Sequence, residues 1–179
     1  TNGSTVTRSA ETANGSGDEA TFNDSEGVWM VEGSFNEDLS YKAISISDGS
    51  INNSLRIYST PIANQLVFRV RVGNVDQMLN LITLQDISQI NKLSLKYKEN
   101  DFNVYINGFK VASDTSGSVY SDGTLDRLNL DRYDGLDDFY GNVKQLQYFE
   151  TALTDSELET LTSWVSFSDM ANGQLYTIQ

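Results

Sequence analysis

The chain of 179 residues carries a formal net charge of −13 and contains neither cysteine nor histidine. These absences exclude disulfides, thiolate and imidazole metal ligands, and nucleophilic catalysis by Cys–His or Ser–His pairs. The acidic balance makes nucleic acids and anionic membrane surfaces poor partners, and no apolar run is long enough for membrane insertion. The length fits one domain with a hydrophobic core of its own.

Residues 1–24 form a polar segment that is rich in Gly, Ser and Asn and almost without large apolar side chains. This composition predicts an extended arm or a sheet edge. From residue 25 onward, short apolar stretches alternate with turn residues. We therefore divide the chain into an N-terminal arm, residues 1–24, and a single folded domain, residues 25–179.

The folded domain begins with residues 27–35, which are apolar on both faces as far as Glu32. This pattern predicts an interior strand with Trp29 in the core. Asn107-Gly108 favours a type I′ hairpin turn, because both central residues of that turn adopt positive φ. Further strands are predicted at residues 41–49, 53–59, 64–73, 77–84, 91–98 and 101–107, near Leu125, and at the C-terminal residues Leu175, Tyr176 and Ile178.

Residues 139–164 combine a strand pattern with the best-marked helix start in the chain. Thr154 and Glu157 have the spacing of a capping box, in which each side chain satisfies a backbone amide at the start of a helix. Leu153 and Leu158 occupy the two positions of a hydrophobic staple. The pattern predicts a short helix that packs its apolar face onto the preceding strands.

Two stretches resemble one known superfamily. FYGNVKQLQYFETALTDSELETL, residues 139–161, resembles the C-terminal end of concanavalin A-like, laminin-G-like jelly-roll domains. DFNVYINGFKVASD, residues 101–114, resembles the strand pair that these domains place just before it. The resemblance implies an all-β fold, a two-sheet antiparallel jelly-roll sandwich with one short C-terminal helix.

The opening TNGSTVTRSAE, residues 1–11, resembles a segment that recurs in tail-fibre and receptor-binding proteins of tailed bacteriophages. This second resemblance implies a location on a virion tail fibre or, more broadly, outside the cell. It also implies a possible homo-oligomer in the full-length protein, although no heptad repeat is present to impose one.

Alternation along the middle strands predicts an inward apolar side and an outward side on which the scarce basic residues collect. Arg binds carboxylates and hydroxyl pairs through its planar fork, and Tyr offers a flat face to a sugar ring. The pattern therefore predicts a saccharide platform for a cell-surface glycan, with an acidic glycan as the most plausible. The alternative is an ordinary solvated face with Lys that discourages edge pairing. The candidate carbohydrate-binding residues are Arg56, Tyr58, Arg69, Arg71, Lys96 and Tyr105.

A second candidate site is the acidic turn of residues 131–138. Asp131, Asp134 and Asp137 offer carboxylate oxygens close together, and calcium takes six to eight oxygen ligands. The spacing does not match an EF-hand, but domains of the resembled superfamily often hold a structural calcium ion in their loops. We therefore expect that no cofactor is required and that a structural Ca²⁺ is possible here; ordinary turn-forming aspartates are the alternative.

A catalytic function is the least favoured interpretation of the sequence. Glucanases share this sandwich, and a retaining mechanism needs two carboxylates about 5 Å apart, usually delivered by Glu-x-Asp-x-x-Glu on one strand. No such motif is present in the sequence. The sequence thus predicts a non-catalytic, lectin-like domain that recognises a bacterial surface or environmental polysaccharide. The alternatives are a structural or protein-interaction domain of a virion appendage and, less favoured, a glycoside hydrolase.

Overall fold

The computed structural model describes residues 16–36, 39–164 and 169. Within these residues the chain forms ten strands and one helix. The strands are β1 (Glu26–Phe35), β2 (Ala43–Ser47), β3 (Ser54–Ser59), β4 (Gln65–Val72), β5 (Val75–Thr83), β6 (Asn91–Lys98), β7 (Phe102–Ile106), β8 (Phe109–Asp114), β9 (Arg127–Asn129) and β10 (Gly141–Phe149), and the helix is α1 (Asp155–Thr162).

The strands form two five-stranded antiparallel sheets. Sheet A has the order β5-β4-β3-β2-β9, and sheet B has the order β10-β1-β6-β7-β8. The predicted all-β jelly-roll sandwich with one short helix is therefore confirmed. β1 lies inside sheet B between β10 and β6, as its two-sided apolar pattern predicted.

The core lies between the two sheets and is built by the inward half of each alternating strand. In sheet A the row Ile46, Leu55 and Val70 crosses three neighbouring strands, and all three side chains are fully buried. Trp29 is fully buried opposite Leu95 in sheet B. The alternation of Leu55, Ile57, Leu66, Phe68, Val70, Leu93, Leu95, Tyr97, Phe102, Val104 and Ile106 toward the core is confirmed.

At two places the backbone geometry requires a particular residue type. One is the Asn107-Gly108 turn, and the other is the close approach of two strands at Gly141. Asn107 and Gly108 adopt φ of 51° and 88°, as the predicted type I′ turn requires. Gly141 lies opposite Phe35 where β10 approaches β1, and a Cβ atom there would stand 1.9 Å from the carbonyl oxygen of Ser34. This glycine is needed for close approach of two backbones rather than for a turn.

The helix α1 starts with the predicted capping box. Thr154 Oγ1 accepts a hydrogen bond from the Glu157 amide at 3.4 Å, and Glu157 Oε2 accepts one from the Thr154 amide at 2.8 Å. Leu158 is buried against Val28 and Tyr105 on the outer face of sheet B. The helix therefore covers one of the two outer faces of the sandwich.

The described part of the N-terminal segment, residues 16–24, packs against the sandwich. The Phe22 ring contributes to the core and meets the Tyr148 ring edge-on at 5.1 Å. Asp24 is buried and accepts hydrogen bonds from the amides of Thr124 and Leu125 at 2.9 and 2.8 Å. The division of the chain at residue 24 stays a prediction, and the phage-like residues 1–11 lie outside the described residues, as does the predicted last strand with Leu175, Tyr176 and Ile178. No helix in the described part of the chain is long and apolar enough to cross a membrane.

Candidate functional site: an arginine cleft on sheet A

The structure separates the predicted saccharide platform into two surfaces. Arg56, Tyr58, Arg69 and Arg71 lie together on the outer face of sheet A, whereas Lys96 and Tyr105 lie on the outer face of sheet B. The expectation of one shared face is therefore corrected. Alternation distinguishes inward from outward positions, but each sheet of a sandwich has its own outward side, and the two point in opposite directions.

On sheet B, the two predicted residues are covered. Tyr105 is fully buried beneath α1, and the Lys96 side chain is 8% exposed with Nζ 2.6 Å from Asp101 Oδ2. A sugar ring has no access to Tyr105 while α1 is in place. Neither residue belongs to an open binding surface in this structure.

The remaining lysines on the strands of sheet B hold this face together. Three of them form salt bridges, namely Lys98 with Glu26 at 2.9 Å, Lys110 with Asp155 at 2.5 Å and Lys144 with Glu32 at 3.0 Å. Lys92 Nζ donates to the carbonyl oxygen of Ser163 at 2.9 Å and lies 4.9 Å from the Trp164 ring centroid. The cations of sheet B thus fasten neighbouring strands and the end of α1.

On sheet A the basic residues are arginines. Every arginine of the chain except Arg8, which lies outside the described residues, sits on the outer side of this sheet or in the loop beside it; they are Arg56, Arg69, Arg71, Arg127 and Arg132. In a chain with a net charge of −13, this arrangement makes one local region rich in guanidinium groups. Guanidinium groups bind carboxylates and phosphates in forked pairs, which lysines do not.

Arg56 is at the centre of this region and is only 5% exposed. Its Cζ lies 5.1 Å from the Tyr58 ring centroid and 5.2 Å from the Tyr133 ring centroid, so the guanidinium is held by two aromatic rings. No carboxylate of the described residues forms a salt bridge with Arg56, and its buried Nε has no hydrogen-bond partner there. Burial, and next the positive charge of Arg69, lower the pKa of the Arg56 guanidinium.

The two neighbouring arginines are already engaged. Arg69 forms a two-pronged pair with Asp76, with Nε and Nη2 at 2.6 and 2.8 Å from the two carboxylate oxygens. Arg71 Nη2 donates to the Asn74 carbonyl and side-chain oxygens at 3.0 and 2.7 Å. Both residues line the region, but Arg56 is the one whose charge the surrounding side chains leave uncompensated.

A loop closes one side of this region. Residues 130–140 connect β9 to β10, and the Ala43 amide at the start of β2 donates to the Asp137 carbonyl oxygen at 2.9 Å. Arg132 spans the loop, with nitrogens 2.8 Å from Asp134 and 3.4 Å from Asp137. Tyr133 adopts φ of 105°, which is rare for a residue with a side chain and marks local strain of the kind often found at functional sites.

Loop and sheet together form a cleft of about 220 Å³. Its lining residues are Tyr41, Ala43, Arg56, Tyr58, Arg69, Arg132 and Asp137. Aromatic faces, guanidinium groups and one carboxylate converge in this cleft, a combination suited to hydrogen-bonding a polar ring that also carries negative charge.

A larger groove of about 410 Å³ lies between the edges of β5 and β8. Phe109 is 73% exposed beside it, and Asp86 is the only charged residue in its lining. This groove offers an aromatic face but no cation. It therefore lacks the groups that would recognise an acidic ligand.

The structure places the three predicted calcium ligands in one loop without assembling them around a common point. Asp131 Oδ1 accepts a hydrogen bond from the Tyr133 amide at 2.6 Å, while Asp134 and Asp137 are paired with Arg132. Hydrogen bonding to Arg132 lowers the pKa of the Asp134 carboxyl. Across residues 16–36 and 39–164, no group of three acidic side chains is close enough to hold a metal ion. Calcium at Asp131, Asp134 and Asp137 stays a prediction.

Comparison with known proteins gives structural neighbours only. No protein-family model and no curated protein sequence matches the chain. Among solved structures, the CBM40 of the Ruminococcus gnavus IT-sialidase bound to α2,3 sialyllactose has a TM-score of 0.61 at 16% identity, covering 79% of this chain and 84% of that one.

Two further solved structures have the same architecture. The NanB sialidase of Streptococcus pneumoniae has a TM-score of 0.64 at 16% identity, and the match covers 85% of this chain but 27% of the sialidase. Domain 4 of AbnA, a GH43 extracellular arabinanase from Geobacillus stearothermophilus in complex with arabinotriose, has a TM-score of 0.57 at 16% identity, covering 82% of this chain and 70% of that one. At this level of identity the likeness shows the fold.

Proposed function

We propose that this chain is a non-catalytic carbohydrate-binding domain whose site is the arginine cleft of sheet A, and that its ligand is an acidic glycan. The observation that carries the proposal is Arg56, a guanidinium that is 5% exposed, held between two tyrosine rings and without a carboxylate partner among the described residues. Burying a charge without a partner is costly. A ligand carboxylate or sulfate would supply the missing countercharge.

The neighbouring groups suit a sugar ring. Tyr58 and Tyr41 supply apolar faces and hydroxyl groups, and Arg69 also lines the cleft, with its guanidinium oriented by Asp76. A volume of about 220 Å³ is smaller than the usual range of drug-sized pockets and suits a single sugar unit with its acidic substituent. Support for a saccharide ligand also comes from two neighbours of the same fold, whose structures hold sialyllactose and arabinotriose.

The setting of the domain is proposed from the sequence. The resemblance of residues 1–11 to phage tail-fibre proteins supports display on a virion fibre or a secreted adhesin, where the glycan would belong to a bacterial surface. Mass spectrometry of purified virions, or of the culture medium, is the direct test of this location. Absence of the protein from both fractions would remove this part of the proposal.

The binding test combines a glycan array with titration calorimetry on the best acidic glycan. Arg56→Gln removes the buried charge, and Arg127→Gln removes a charge from the same sheet outside the cleft, where Arg127 pairs with Asp126. We expect Arg56→Gln to weaken binding at least tenfold, because a charged hydrogen-bonded pair is lost, and Arg127→Gln to leave it within about twofold.

Three results would contradict this assignment. Equal binding by Arg56→Gln and the unchanged chain removes the cleft as the site. Loss of binding in Phe109→Ala instead would move the site to the groove between β5 and β8. A blank array with neutral and acidic glycans would favour a structural or protein-interaction domain. A separate titration in the presence of EDTA tests the predicted calcium ion, and unchanged binding would mean that the site does not need calcium.

A further inference from the structure

An exposed apolar strip lies beside the arginine cleft on the same face of sheet A. It consists of Leu79 and Leu81 on the edge strand β5, which are 45% and 58% exposed. In the strand register Leu79 is opposite Arg69, and Leu81 is opposite Val67. Opposed side chains in an antiparallel pair have Cβ atoms about 4.5–5.5 Å apart. The strip therefore adjoins the cleft directly.

The apolar surface continues from the strip into the cleft. Val67 is opposite Tyr58 on β3 as well as Leu81 on β5, and it is only 2% exposed although its side chain points outward. Tyr58, Val67 and Leu81 thus form one apolar row across three strands. The Arg56, Arg69 and Leu79 row runs parallel to it.

The composition of β5 makes this strip unusual. Edge strands of soluble proteins commonly carry Lys, Pro or inward charges that discourage pairing with other chains. Apart from Asp76, which is paired with Arg69, β5 contains no charged residue and no proline, in a chain with a net charge of −13. Exposed leucines that occur singly need no explanation. Two on one face, separated from the uncompensated Arg56 guanidinium only by Arg69 on the strand between them, indicate a recognition surface.

We propose that the cleft selects acidic sugars that carry an acyl substituent, and that Leu79 and Leu81 are the residues that bind the acyl group. This inference rests on the proposed function of the cleft and defines its ligand class more closely. The acidic group pairs with Arg56, and the ester or amide acyl group lies across Arg69 onto the strip. Leu79 and Leu81 are then specificity-determining residues.

The expected effect of the acyl group follows from the area that it covers. Burial of one methyl group is worth a factor of about four in affinity. We therefore expect an acetylated acidic glycan to bind about fourfold more tightly than the same glycan without acetyl groups. The preference should disappear when the strip is made polar.

The experiment uses three acidic polysaccharides in matched pairs: acetylated galacturonan, acetylated alginate and acetylated xanthan, each before and after mild alkaline de-O-acetylation. Titration is performed with the unchanged chain, with Leu79→Ser/Leu81→Ser, and with Val75→Ser as a control. Val75 is an exposed apolar residue at the far end of β5, 60% exposed and opposite Val72. Sedimentation velocity is measured for each protein in parallel.

We expect at least one acetylated polysaccharide to bind more tightly than its de-O-acetylated form. This preference should be lost in Leu79→Ser/Leu81→Ser and retained in Val75→Ser. Binding to acidic glycans without an acetyl preference overturns the acyl inference and leaves the proposed function standing. Binding to none of the six preparations overturns both. A change of oligomeric state in Leu79→Ser/Leu81→Ser without a change of preference also overturns it, because the strip is then an interface between copies of this chain.

Discussion

Replacement of Arg56 by Met gives the sharpest test of the view that this residue is kept for binding. Substitution of a side chain that is 5% exposed normally destabilises a protein. For Arg56→Met we expect the free energy of unfolding to rise or to stay unchanged. The unbranched Met side chain fills the space of the aliphatic part of Arg, and the buried charge is removed.

The magnitude follows from the contacts of the guanidinium. The variant loses two cation–π contacts, at 5.1 and 5.2 Å, each worth about 0.5–2 kcal/mol. It also removes a desolvated charge that has no carboxylate partner among the described residues and lies near the positive charge of Arg69. Loss of this desolvation penalty and repulsion stabilises the folded state by several kcal/mol. The free energy of unfolding should therefore stay unchanged or rise by up to about 2 kcal/mol. For a chain of this size, a rise of 1 kcal/mol corresponds to about 2–4 °C in Tm.

Urea and thermal unfolding measure the effect, and Arg69→Met is the matched control. Arg69 lies on the neighbouring strand and is paired with Asp76, so its removal leaves a carboxylate without its partner. We expect Arg69→Met to lower the free energy of unfolding by about 1 kcal/mol. If Arg56→Met is destabilised as much as Arg69→Met, Arg56 is a structural residue and the argument for a missing countercharge is refuted.

Three further predictions concern the fold. Leu158→Ala should lower the free energy of unfolding by about 2–5 kcal/mol in urea titrations, since the Leu158 side chain of α1 is fully buried against sheet B; a loss below about 1 kcal/mol would mean that the helix does not dock. Gly141→Ala should cost about 1–3 kcal/mol in thermal melts, because its Cβ would stand 1.9 Å from the Ser34 carbonyl oxygen, and an unchanged Tm would contradict this close approach. Hydrogen bonding to Lys110 lowers the pKa of Asp155 in the folded state, so this pair stabilises the fold above the unfolded pKa of about 4 and loses its contribution as the pH falls below it. The free energy of unfolding, measured between pH 7 and 2.5, should therefore decline below about pH 4, and it should decline less steeply in Asp155→Asn than in the unchanged chain. Equal slopes in the two proteins would contradict the pairing of Asp155 with Lys110.

Local patterns in the sequence were sufficient to predict the alternation along the strands and the start of the helix. Leu55 and Ile57 point inward and Arg56 points outward because side chains on a strand alternate with a period of two. The start of α1 is set by Thr154 and Glu157, whose spacing alone satisfies the first amides of the helix. Each of these features depends on residues within four positions of one another.

The composition of the cleft depends on contacts that no local pattern contains. Tyr133 and Arg132 reach Arg56 because β9 pairs with β2, and the sequence gives no signal for that pairing. The grouping of Lys96 with Arg69 was wrong for a related reason, because the order of strands decides which sheet a strand enters. The segregation of Arg to residues 54–72 and of Lys to residues 91–98 was visible in the sequence and could have separated the two faces.

The position of α1 decides which outer face of the sandwich is available to a ligand. On sheet B, Leu158 seals the surface over Tyr105, and Lys110 and Lys92 tie the two ends of the helix region to the strands. Sheet A has no helix over it among the described residues, so its polar face must be stabilised by its own side chains or by a ligand. Arg69 and Arg71 have partners within the protein, and Arg56 has only aromatic faces. Among the described arginines on the strands of sheet A, Arg56 is thus the one without an oxygen partner, and it lies on the face that the helix leaves open. This coincidence favours the proposed binding site over an ordinary solvated surface.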